Sequence, residues 1–523
     1  MNTNLTLVRI EGVNLDHFVF DTRDLSTIRG GSFMLLDAVD DVLDHLTKLK
    51  VLEKCLSRGA SSGLFTIHAE CPETVVSGIR ELLAGRYPHA TFVVDAVPRI
   101  GNFRDDLETA IAANRKRQMQ AFSLAVPERS AVVQDVTDPA CEMDGLRPAL
   151  KLNKGPTRDN GEPTYLSAAT LSRREYGRKA KNDFYGKMIR RRGGPNADLA
   201  ERLPEFAEDF KTIASGTASL SGKLAVFYAD GNSFGRTQSN HCDTAEKQEA
   251  WDTFIRGSRE EFLIKFLEDE ITGPAKENPW LDAKGRARFE TLLWGGDEFM
   301  FVVPAALGWR FATLFFRHFG GMNLAQAGGG LPQSLLTHAA ALVFCQHHAP
   351  IDRIKHLAKD QMVEDAKAMS RDLDSLSVVV LESFDHLGNS YATAMARRYA
   401  SSIGLDQMVL KTPQDGSLHK TLETIARCVE HLHSPKSHFA RSQLRGTVNA
   451  ILAAARGGGP PLPPGKAASA AASAAAFEEV RKAAFKNATE EDIRILQDNL
   501  KPCFPSDTAL WLQLEELWDY AKP

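Results

Sequence analysis

The chain has 523 residues, with 63 Lys and Arg against 67 Asp and Glu and a formal net charge of −4. This length allows roughly three domains with large cores. Because the whole chain has no basic excess, any contact with nucleic acid must come from a local patch.

The cysteines and the N-terminus indicate a cytoplasmic protein. The seven cysteines are scattered without a C-x-x-C pair, which argues against disulfides and against a zinc ribbon. The N-terminal residues lack a basic segment followed by an apolar one, and no apolar run approaches the ~18 residues of a membrane span. We therefore expect a soluble protein of the cytoplasm without membrane contact.

Residues 1–125 are predicted to form a first α+β domain of the ferredoxin-like, or palm-like, type. The apolar periodicity predicts strands at 5–10, 18–20, 64–68 and 91–94, and helices at 32–50, 73–83 and 103–122. A β-β-α-β-α-β order is typical of this fold. The hairpin turn before Leu64 has no acidic residue, so this domain is not expected to bind metal.

A glycine pair precedes the predicted first helix of this domain. Gly30, Gly31 and Ser32 have the residue types of a phosphate-binding helix N-terminus. The simpler interpretation is that Ser32 is an ordinary N-cap.

Residues 126–219 are predicted to connect two domains, and they contain the most basic stretch of the chain. Cys141 is predicted to lie in a turn, because a lone cysteine cannot hold zinc. Basic residues interleaved with aromatic ones, the pattern found here, can grip an RNA backbone and stack on bases. The candidate RNA contacts are Arg173, Arg174, Arg178 and Lys179. A solvated helix face would give the same pattern.

Residues 220–385 are predicted to form a second ferredoxin-like domain. The pattern predicts strands at 224–229, 338–344 and 377–381, two short strands on either side of the glycine pair at 295–296, and helices at 244–270, 305–319 and 351–371. This order is again typical of the ferredoxin-like fold.

Two strand ends in this domain carry acidic residues. Asp230 ends the first strand, while Asp297 and Glu298 follow the glycine pair at the hairpin turn. The first strand and the central hairpin are neighbours in a palm, so Asp230 would face Asp297. Such carboxylates need a cation between them, or one must stay protonated. Two Mg²⁺ or Mn²⁺ ions would satisfy both and would serve nucleotidyl transfer. Glu298 either completes the second metal site or turns outward.

Other residues of this domain are candidates for nucleotide contacts. Glycines allow a charged ligand to approach the backbone, although a Gly-Gly-Asp turn is also common at an ordinary surface hairpin. Lys367 and Arg371 are four residues apart in the predicted helix 351–371, so they would share one face and could hold the β- and γ-phosphates. A salt-bridged surface face is the alternative. The remaining candidates are Asn232, Ser233, Phe234, Gly235, Gly295 and Gly296.

Residues 386–523 are predicted to form a helical C-terminal domain. Helices are expected near 391–402, 417–433, 443–456 and 478–520, and the Gly-, Pro- and Ala-rich stretch 457–476 is predicted to be a flexible linker. No residues here have catalytic spacing, which indicates a packing or docking module.

The motifs of residues 220–385 resemble the GGDEF domain of diguanylate cyclases. The resemblance covers about 160 residues and rests on Asp230, on the run Gly-Gly-Asp-Glu-Phe that contains Asp297, and on Lys367 with Arg371. It implies that Asp230 and Asp297 bind metal through their side chains, that the carbonyl of Gly231 is a backbone ligand, and that the two basic residues bind phosphate.

Two features of diguanylate cyclases are missing. Residues 239–243 do not supply the guanine-reading pattern expected after the first aspartate, and Phe289 takes the acidic place of the inhibitory Arg-x-x-Asp motif after Arg286. Guanine specificity is therefore not implied.

Most of residues 5–385 resembles the large palm-domain subunit of type III CRISPR complexes, the CRISPR polymerase-cyclases. The run Tyr-Ala-Asp-Gly-Asn-Ser-Phe-Gly at 228–235 resembles the first metal motif of that family. Residues 21–32 resemble its non-catalytic first palm, 141–149 a reduced form of its zinc element, and 166–185 the segment that joins its palms. The resemblance implies two palms and a helical domain, with a second palm that joins ATP into cyclic oligoadenylates.

This chain departs from the CRISPR family at two points. Its hairpin reads Gly-Gly-Asp-Glu where the family has Gly-Gly-Asp-Asp, and its sequence starts at the first palm without an HD nuclease. Cleavage of single-stranded DNA is therefore not implied.

The sequence thus predicts a nucleotidyltransferase that makes a cyclic oligonucleotide messenger from NTPs, with ATP as the expected substrate, in a CRISPR-type or related antiviral defence. RNA, CRISPR-type subunits and a second copy of the chain are the expected partners. A divergent GGDEF cyclase that makes a cyclic dinucleotide, and an inactive palm scaffold that binds RNA, are the alternatives.

Overall fold

The computed structural model describes residues 5–59, 61–120, 140–149, 154–157, 161–193, 198–216, 220–273, 278–382, 390–399, 403–412, 417–456, 485 and 488–522. The predicted linker 457–476 lies outside these residues. The elements up to residue 213 are β1 (Leu5–Val13), α1 (Leu15–Val19), α2 (Leu25–Lys48), β2 (Leu52–Arg58), β3 (Ser62–His68), α3 (Pro72–Arg86), β4 (Thr91–Pro98), α4 (Phe103–Gln120), β5 (Lys154–Thr157), β6 (Pro163–Tyr165), α5 (Ala168–Arg192), α6 (Leu199–Arg202) and α7 (Phe210–Ile213).

The first sheet is antiparallel and has the strand order β2-β3-β1-β4. Helices α2 and α3 connect its strands in the βαββαβ order of a ferredoxin-like fold. The apolar stripe of α2, which includes Ile28, Val39, Val42 and Leu46, is fully buried. This burial supplies most of the stabilisation of so long a helix.

The start of this sheet differs from the sequence prediction. The strand predicted at 18–20 is wrong, because Leu15–Val19 is helical and residues 52–58 form the second strand instead. The helix predicted at 32–50 is α2 and begins earlier, at Leu25, since the side chain of Asp24 accepts a hydrogen bond from the Thr27 amide and caps it. Ser32 therefore lies inside α2 and is neither an N-cap nor part of a phosphate-binding N-terminus.

The glycine pair of α2 has a packing role. A Cβ at Gly30 would lie 1.7 Å from the carbonyl oxygen of Arg173 in α5. Only a glycine allows the two helices to cross at this separation.

The elements from residue 223 onward are β7 (Lys223–Gly231), α8 (Phe234–His241), α9 (Ala245–Phe266), β8 (Glu290–Gly295), β9 (Glu298–Pro304), α10 (Gly308–Phe319), β10 (His338–Gln346), α11 (Ile351–His356), α12 (Glu364–Met369), β11 (Ser375–Val380), α13 (Tyr391–Tyr399), β12 (Val409–Lys411), α14 (Leu418–His433), α15 (Arg441–Ala455), α16 (Glu490–Arg494) and α17 (Asp507–Leu517). A π-helical segment, Leu357–Val363, joins α11 to α12.

The second sheet has the strand order β12-β11-β10-β7-β9-β8. Its four strands β8-β9-β7-β10 repeat the order of the first sheet, while β11 adds in parallel to β10 and β12 extends the edge. Strand β7 lies inside the sheet and is covered on both faces, which explains why its residues 224–229 are all apolar and buried.

The two ferredoxin-like units pack against each other in a reciprocal way. Helix α2 of the first contacts β8 of the second, and α9 of the second contacts β2 of the first. At the first contact, Arg29 and Glu290 form a two-pronged ion pair whose side chains are 1% and 2% exposed. The strand that leads into the hairpin turn is therefore held by the first unit.

The C-terminal region is mainly helical, as predicted. Helix α14 packs on α10, where the indole of Trp309 donates a hydrogen bond to the carbonyl of Leu422. The short strand β12 was not predicted. The predicted fold class, α+β with two ferredoxin-like units and a helical C-terminal region, is confirmed, while the predicted domain boundaries remain predictions. Among the described residues, no helix combines the length and the apolar character needed to span a membrane.

Candidate nucleotide site at the β8–β9 turn

The β8–β9 hairpin closes with a two-residue turn. Gly295 pairs with Glu298 across the hairpin, so Gly296 and Asp297 form the turn itself. Gly296 has φ 53°, which a glycine adopts without a steric penalty at the first central position of such a turn. The turn therefore presents Asp297 at the tip of the hairpin.

Asp230 and Asp297 lie together at the end of β7. Asp230 stands opposite Glu298 in the pairing of β7 with β9, and the amide of Gly231 donates a 3.1 Å hydrogen bond to the carbonyl of Asp297. A Cβ at Gly231 would lie 2.8 Å from the Cβ of Asp297 and 2.6 Å from the ring of Phe234. Glycine at this position is what allows the two acidic strand ends to meet.

Both carboxylates are costly to ionise where they lie. Burial, and then the charge of Asp230, raise the pKa of Asp297 to about 7. Burial also raises the pKa of Asp230, against the opposing effect of Lys367. Carboxylates in this situation gain free energy from a nearby cation.

A lysine from the helix that spans residues 351–369 already faces each strand end. Lys367 Nζ lies 2.6 Å from Asp230 Oδ2, and Lys359 Nζ lies 2.6 Å from Glu298 Oε1. Glu298 thus has a partner other than a metal ion, and a metal-binding role for it remains a prediction. Lys359 was not predicted from the sequence. It belongs to the π-helical segment Leu357–Val363, and such segments are common near functional sites.

The prediction that Lys367 and Arg371 share one helical face is wrong. Helix α12 ends at Met369, so Arg371 follows the helix instead of continuing it. Its side chain is exposed, and its carbonyl accepts a hydrogen bond from Thr337 Oγ1 at 3.0 Å. Phosphate binding by Arg371 remains a prediction that would need a different geometry.

In the loop after Asp230, two of the four predicted nucleotide-binding residues make contacts within the protein. The Asn232 side chain donates to Thr337 Oγ1 and to the carbonyl of Leu373, and Phe234 is buried against Trp251 and His338. Ser233 has φ 59° at the start of α8, and Gly235 is exposed with open space around it. Of the four, Ser233 and Gly235 are best placed for the predicted nucleotide contact.

Tyr228 is a further residue of the site that the sequence analysis did not assign. It lies in β7 two positions before Asp230 and is fully buried. Burial, and then the charges of Glu298 and Asp230, raise the pKa of its hydroxyl. The hydroxyl therefore stays protonated beneath the carboxylates.

The carboxylate oxygens of Asp230 and Asp297 suit a hard cation that also binds oxygen atoms of a substrate. No group of three or more His, Cys, Asp or Glu side chains that could hold a metal occurs within the described ranges. Two carboxylates are nevertheless what Mg²⁺ commonly uses when phosphates and waters complete its shell. Asp230 and Asp297 fit such an ion, provided that Lys367 releases Asp230.

The predicted RNA-contact residues divide into two groups. RNA contact is not possible for Arg173 in this structure, because its side chain is fully buried and pairs with Asp21 at 2.7 Å. The side chain of Arg174 is largely buried and lies 3.4 Å from Asp24. These two arginines join α5 to the first unit. Arg178 and Lys179 are exposed, and RNA contact remains a prediction for them.

The comparisons with known proteins give matches among solved structures alone. No protein-family model matches the chain, and no curated protein does. One match is a Csm1–Csm4 cassette in complex with pppApApA, at 13% identity and a TM-score of 0.52, covering 99% of this chain and 69% of that chain. Csm1 from T. onnurineus matches at 15% identity and a TM-score of 0.44, covering 87% and 64%.

A third match is a Csm1–Csm4 cassette in complex with cA4, at 14% identity and a TM-score of 0.42, covering 82% of this chain and 62% of that chain. The chain therefore spans between 62% and 69% of the length of these three structures. The predicted resemblance is confirmed at the level of the fold: this chain has the fold of Csm1, the large palm-domain subunit of type III CRISPR complexes.

Proposed function

We propose that the chain is a nucleotidyltransferase that joins NTPs, with ATP as the expected substrate, into a cyclic oligonucleotide. The observation that carries the proposal is the placement of Asp230 beside Asp297, with Lys367 Nζ 2.6 Å from Asp230 Oδ2. A structural scaffold would not require two partly buried carboxylates where the end of β7 meets the β8–β9 turn. The solved cassette of similar fold that contains pppApApA supports adenosine as the base.

The residues of this chain have distinct roles in the proposed reaction. Asp230, Asp297 and the carbonyl of Gly231 would hold divalent cations, Mg²⁺ or Mn²⁺, which supply activation of a 3′-hydroxyl and charge neutralisation of the triphosphate. When the side chain of Lys367 moves away from Asp230, it binds and orients a phosphate. Lys359 provides a second positive charge two turns earlier in the same helix. The buried β7 strand carries Asp230, and the amide of its last residue, Gly231, donates a hydrogen bond to the carbonyl of Asp297.

Product analysis tests this function directly. Purified protein is incubated with each radiolabelled NTP and Mg²⁺ or Mn²⁺, with and without RNA, and products are separated before and after phosphatase treatment. We expect a phosphatase-resistant cyclic product from ATP that is lost in Asp297→Asn and Asp230→Asn. The proposal fails if no condition gives product, or if Asp297→Asn makes as much as the wild type.

The partners are also proposed from the fold. The matched cassette pairs Csm1 with Csm4, and we propose that this chain joins a related protein in a CRISPR-type complex. Co-expression with a candidate partner gene from the same genomic neighbourhood, followed by size-exclusion chromatography, tests this assembly. Separate elution of the two chains at micromolar concentration would contradict it. A homo-oligomer would appear in the same experiment as a larger species without the partner.

A further inference from the structure

A cavity of about 80 Å³ lies behind the catalytic turn, between the two ferredoxin-like units. Helices α2, α5 and α9 and the side chain of Trp294 form its walls. Its basic lining residues are Arg58, Lys187, Arg191, Arg256 and Arg259, and its acidic ones are Asp37, Asp40 and Glu260. Five positive and three negative side chains leave an excess of two positive charges.

Arg259 forms the buried end of this cavity. Its side chain lies 5.4 Å above the ring of Trp294, and Nη1 donates a 3.2 Å hydrogen bond to the carbonyl of Gly296 in the catalytic turn. The residue is only 4% exposed, and its Nε has no hydrogen-bond partner. Among the described residues, no carboxylate forms an ion pair with it within 4.0 Å.

A buried guanidinium with a neutral acceptor and an unused donor is short of a counter-charge. Burial lowers the pKa of Arg259 to about 10, against the opposing charges of Asp252 and Glu260, neither of which forms an ion pair with it. An anion beside Nε would supply both the missing acceptor and the missing charge.

The acidic residues of the cavity are paired with other groups, and Glu260 lies 3.9 Å from Arg256. Asp40 pairs with both Arg58 and Arg191, and Asp37 accepts from the Tyr176 hydroxyl and lies 3.7 Å from Lys187. Lys187 and Arg191 are 45% and 51% exposed at the opening. The cavity therefore has exposed cations at its mouth and a buried cation at its base.

We propose that this cavity binds a phosphate-type dianion that pairs with Arg259. Since one water needs roughly 10–15 Å³ by the same measure, there is room for several waters or for one phosphate group. Arg259 also holds the carbonyl of Gly296, so an anion here is coupled to the position of the turn that carries Asp297. This site is separate from the carboxylates of the proposed reaction and does not depend on that reaction.

Binding of inorganic phosphate, followed through the fluorescence of Trp294, tests the proposal. We expect a saturable change in emission that matched chloride does not reproduce. Arg259→Met should weaken phosphate binding by about tenfold or more, because the charge-assisted hydrogen bonds are lost. Trp294→Phe should remove the optical signal while calorimetry still detects binding. The same titration with pyrophosphate and with ATP shows whether the cavity binds a small anion or a whole nucleotide.

The matched control is Lys367→Met, which removes the phosphate-binding cation of the proposed reaction and does not line the cavity. Phosphate affinity should stay within about twofold of the wild type in this variant. Equal affinity in Arg259→Met and wild type would overturn the proposal, and so would loss of phosphate binding in Lys367→Met, since the anion would then bind beside Lys367 and not in the cavity. If Arg259→Met does not fold, Lys187→Gln with Arg191→Gln at the exposed mouth takes its place, and unchanged affinity there is equally contradictory.

Discussion

Gly231 shows how a single missing methyl group makes the site possible. A Cβ there would overlap both Asp297 and the ring of Phe234, so we expect Gly231→Ala to push the β8–β9 turn away from β7. The free energy of unfolding should fall by ~1–3 kcal/mol, as for other overpacked interiors, and product formation should be lost. Thermal and urea unfolding measure the first effect.

Gly235→Ala is the matched control for stability, because nothing lies within 4 Å of a Cβ at that position. It should leave the protein as stable as the wild type or more stable by up to ~1 kcal/mol, as expected for Gly to Ala in a helix. Equal destabilisation by the two substitutions would show that the close approach at Gly231 has no special role.

Asp374 provides a test of pH-dependent stability away from the carboxylate pair. It is 5% exposed, its Oδ1 accepts a hydrogen bond from the His338 amide, and burial raises its pKa to about 7. The folded state thus keeps a proton that the unfolded state loses near pH 4, so the stability from this group is present at low pH and is lost as the pH rises through about 7.

Asp374→Asn keeps the acceptor but removes this titration. The free energy of unfolding of the variant minus that of the wild type should be larger at pH 8 than at pH 5, by up to a few kcal/mol. Urea unfolding at both pH values measures the difference. An identical difference at pH 5 and pH 8 would show that Asp374 ionises normally.

The helix over residues 351–369 offers a comparison between two ion pairs on one element. The Lys367–Asp230 side chains are 8% and 15% exposed, whereas those of Lys359–Glu298 are 30% and 31% exposed. Lys367→Met should cost up to about 3 kcal/mol, because Asp230 would be left buried without a counter-charge. Lys359→Met should cost at most about 1 kcal/mol, since water screens that pair. Equal costs in urea unfolding would contradict the difference in burial.

The sequence predicts those elements whose signals are local. The apolar run of β7 and the glycine pair of the hairpin specify their structures within a few residues, and Asp230 and Asp297 follow from the neighbouring strands of a palm. Strand β2 was missed because its sequence, Leu-Glu-Lys-Cys-Leu-Ser-Arg, has no clean alternation, and its burial comes partly from α9. Contacts between distant segments, such as that of Arg259 with Gly296, have no local signal at all.

At the scale of the whole molecule, the buried Arg29–Glu290 pair joins the first ferredoxin-like unit to β8, the strand that leads into the β8–β9 turn. Arg29 Nε donates to Glu290 Oε1 at 2.8 Å, and the fully buried Tyr185 contacts the next residue of the strand, Thr291, at 3.1 Å. Because the units share this interface, we expect a single cooperative unfolding transition for both.

Arg29→Met should destabilise the protein by about 3–5 kcal/mol, since it leaves Glu290 buried without a partner. The double variant Arg29→Met with Glu290→Gln should be less destabilised than the single one, because the uncompensated charge is removed. Urea unfolding followed by both circular dichroism and tryptophan fluorescence measures these effects. Two separate transitions in the wild type, or a double variant less stable than Arg29→Met, would mean that the first unit does not hold β8 through this pair.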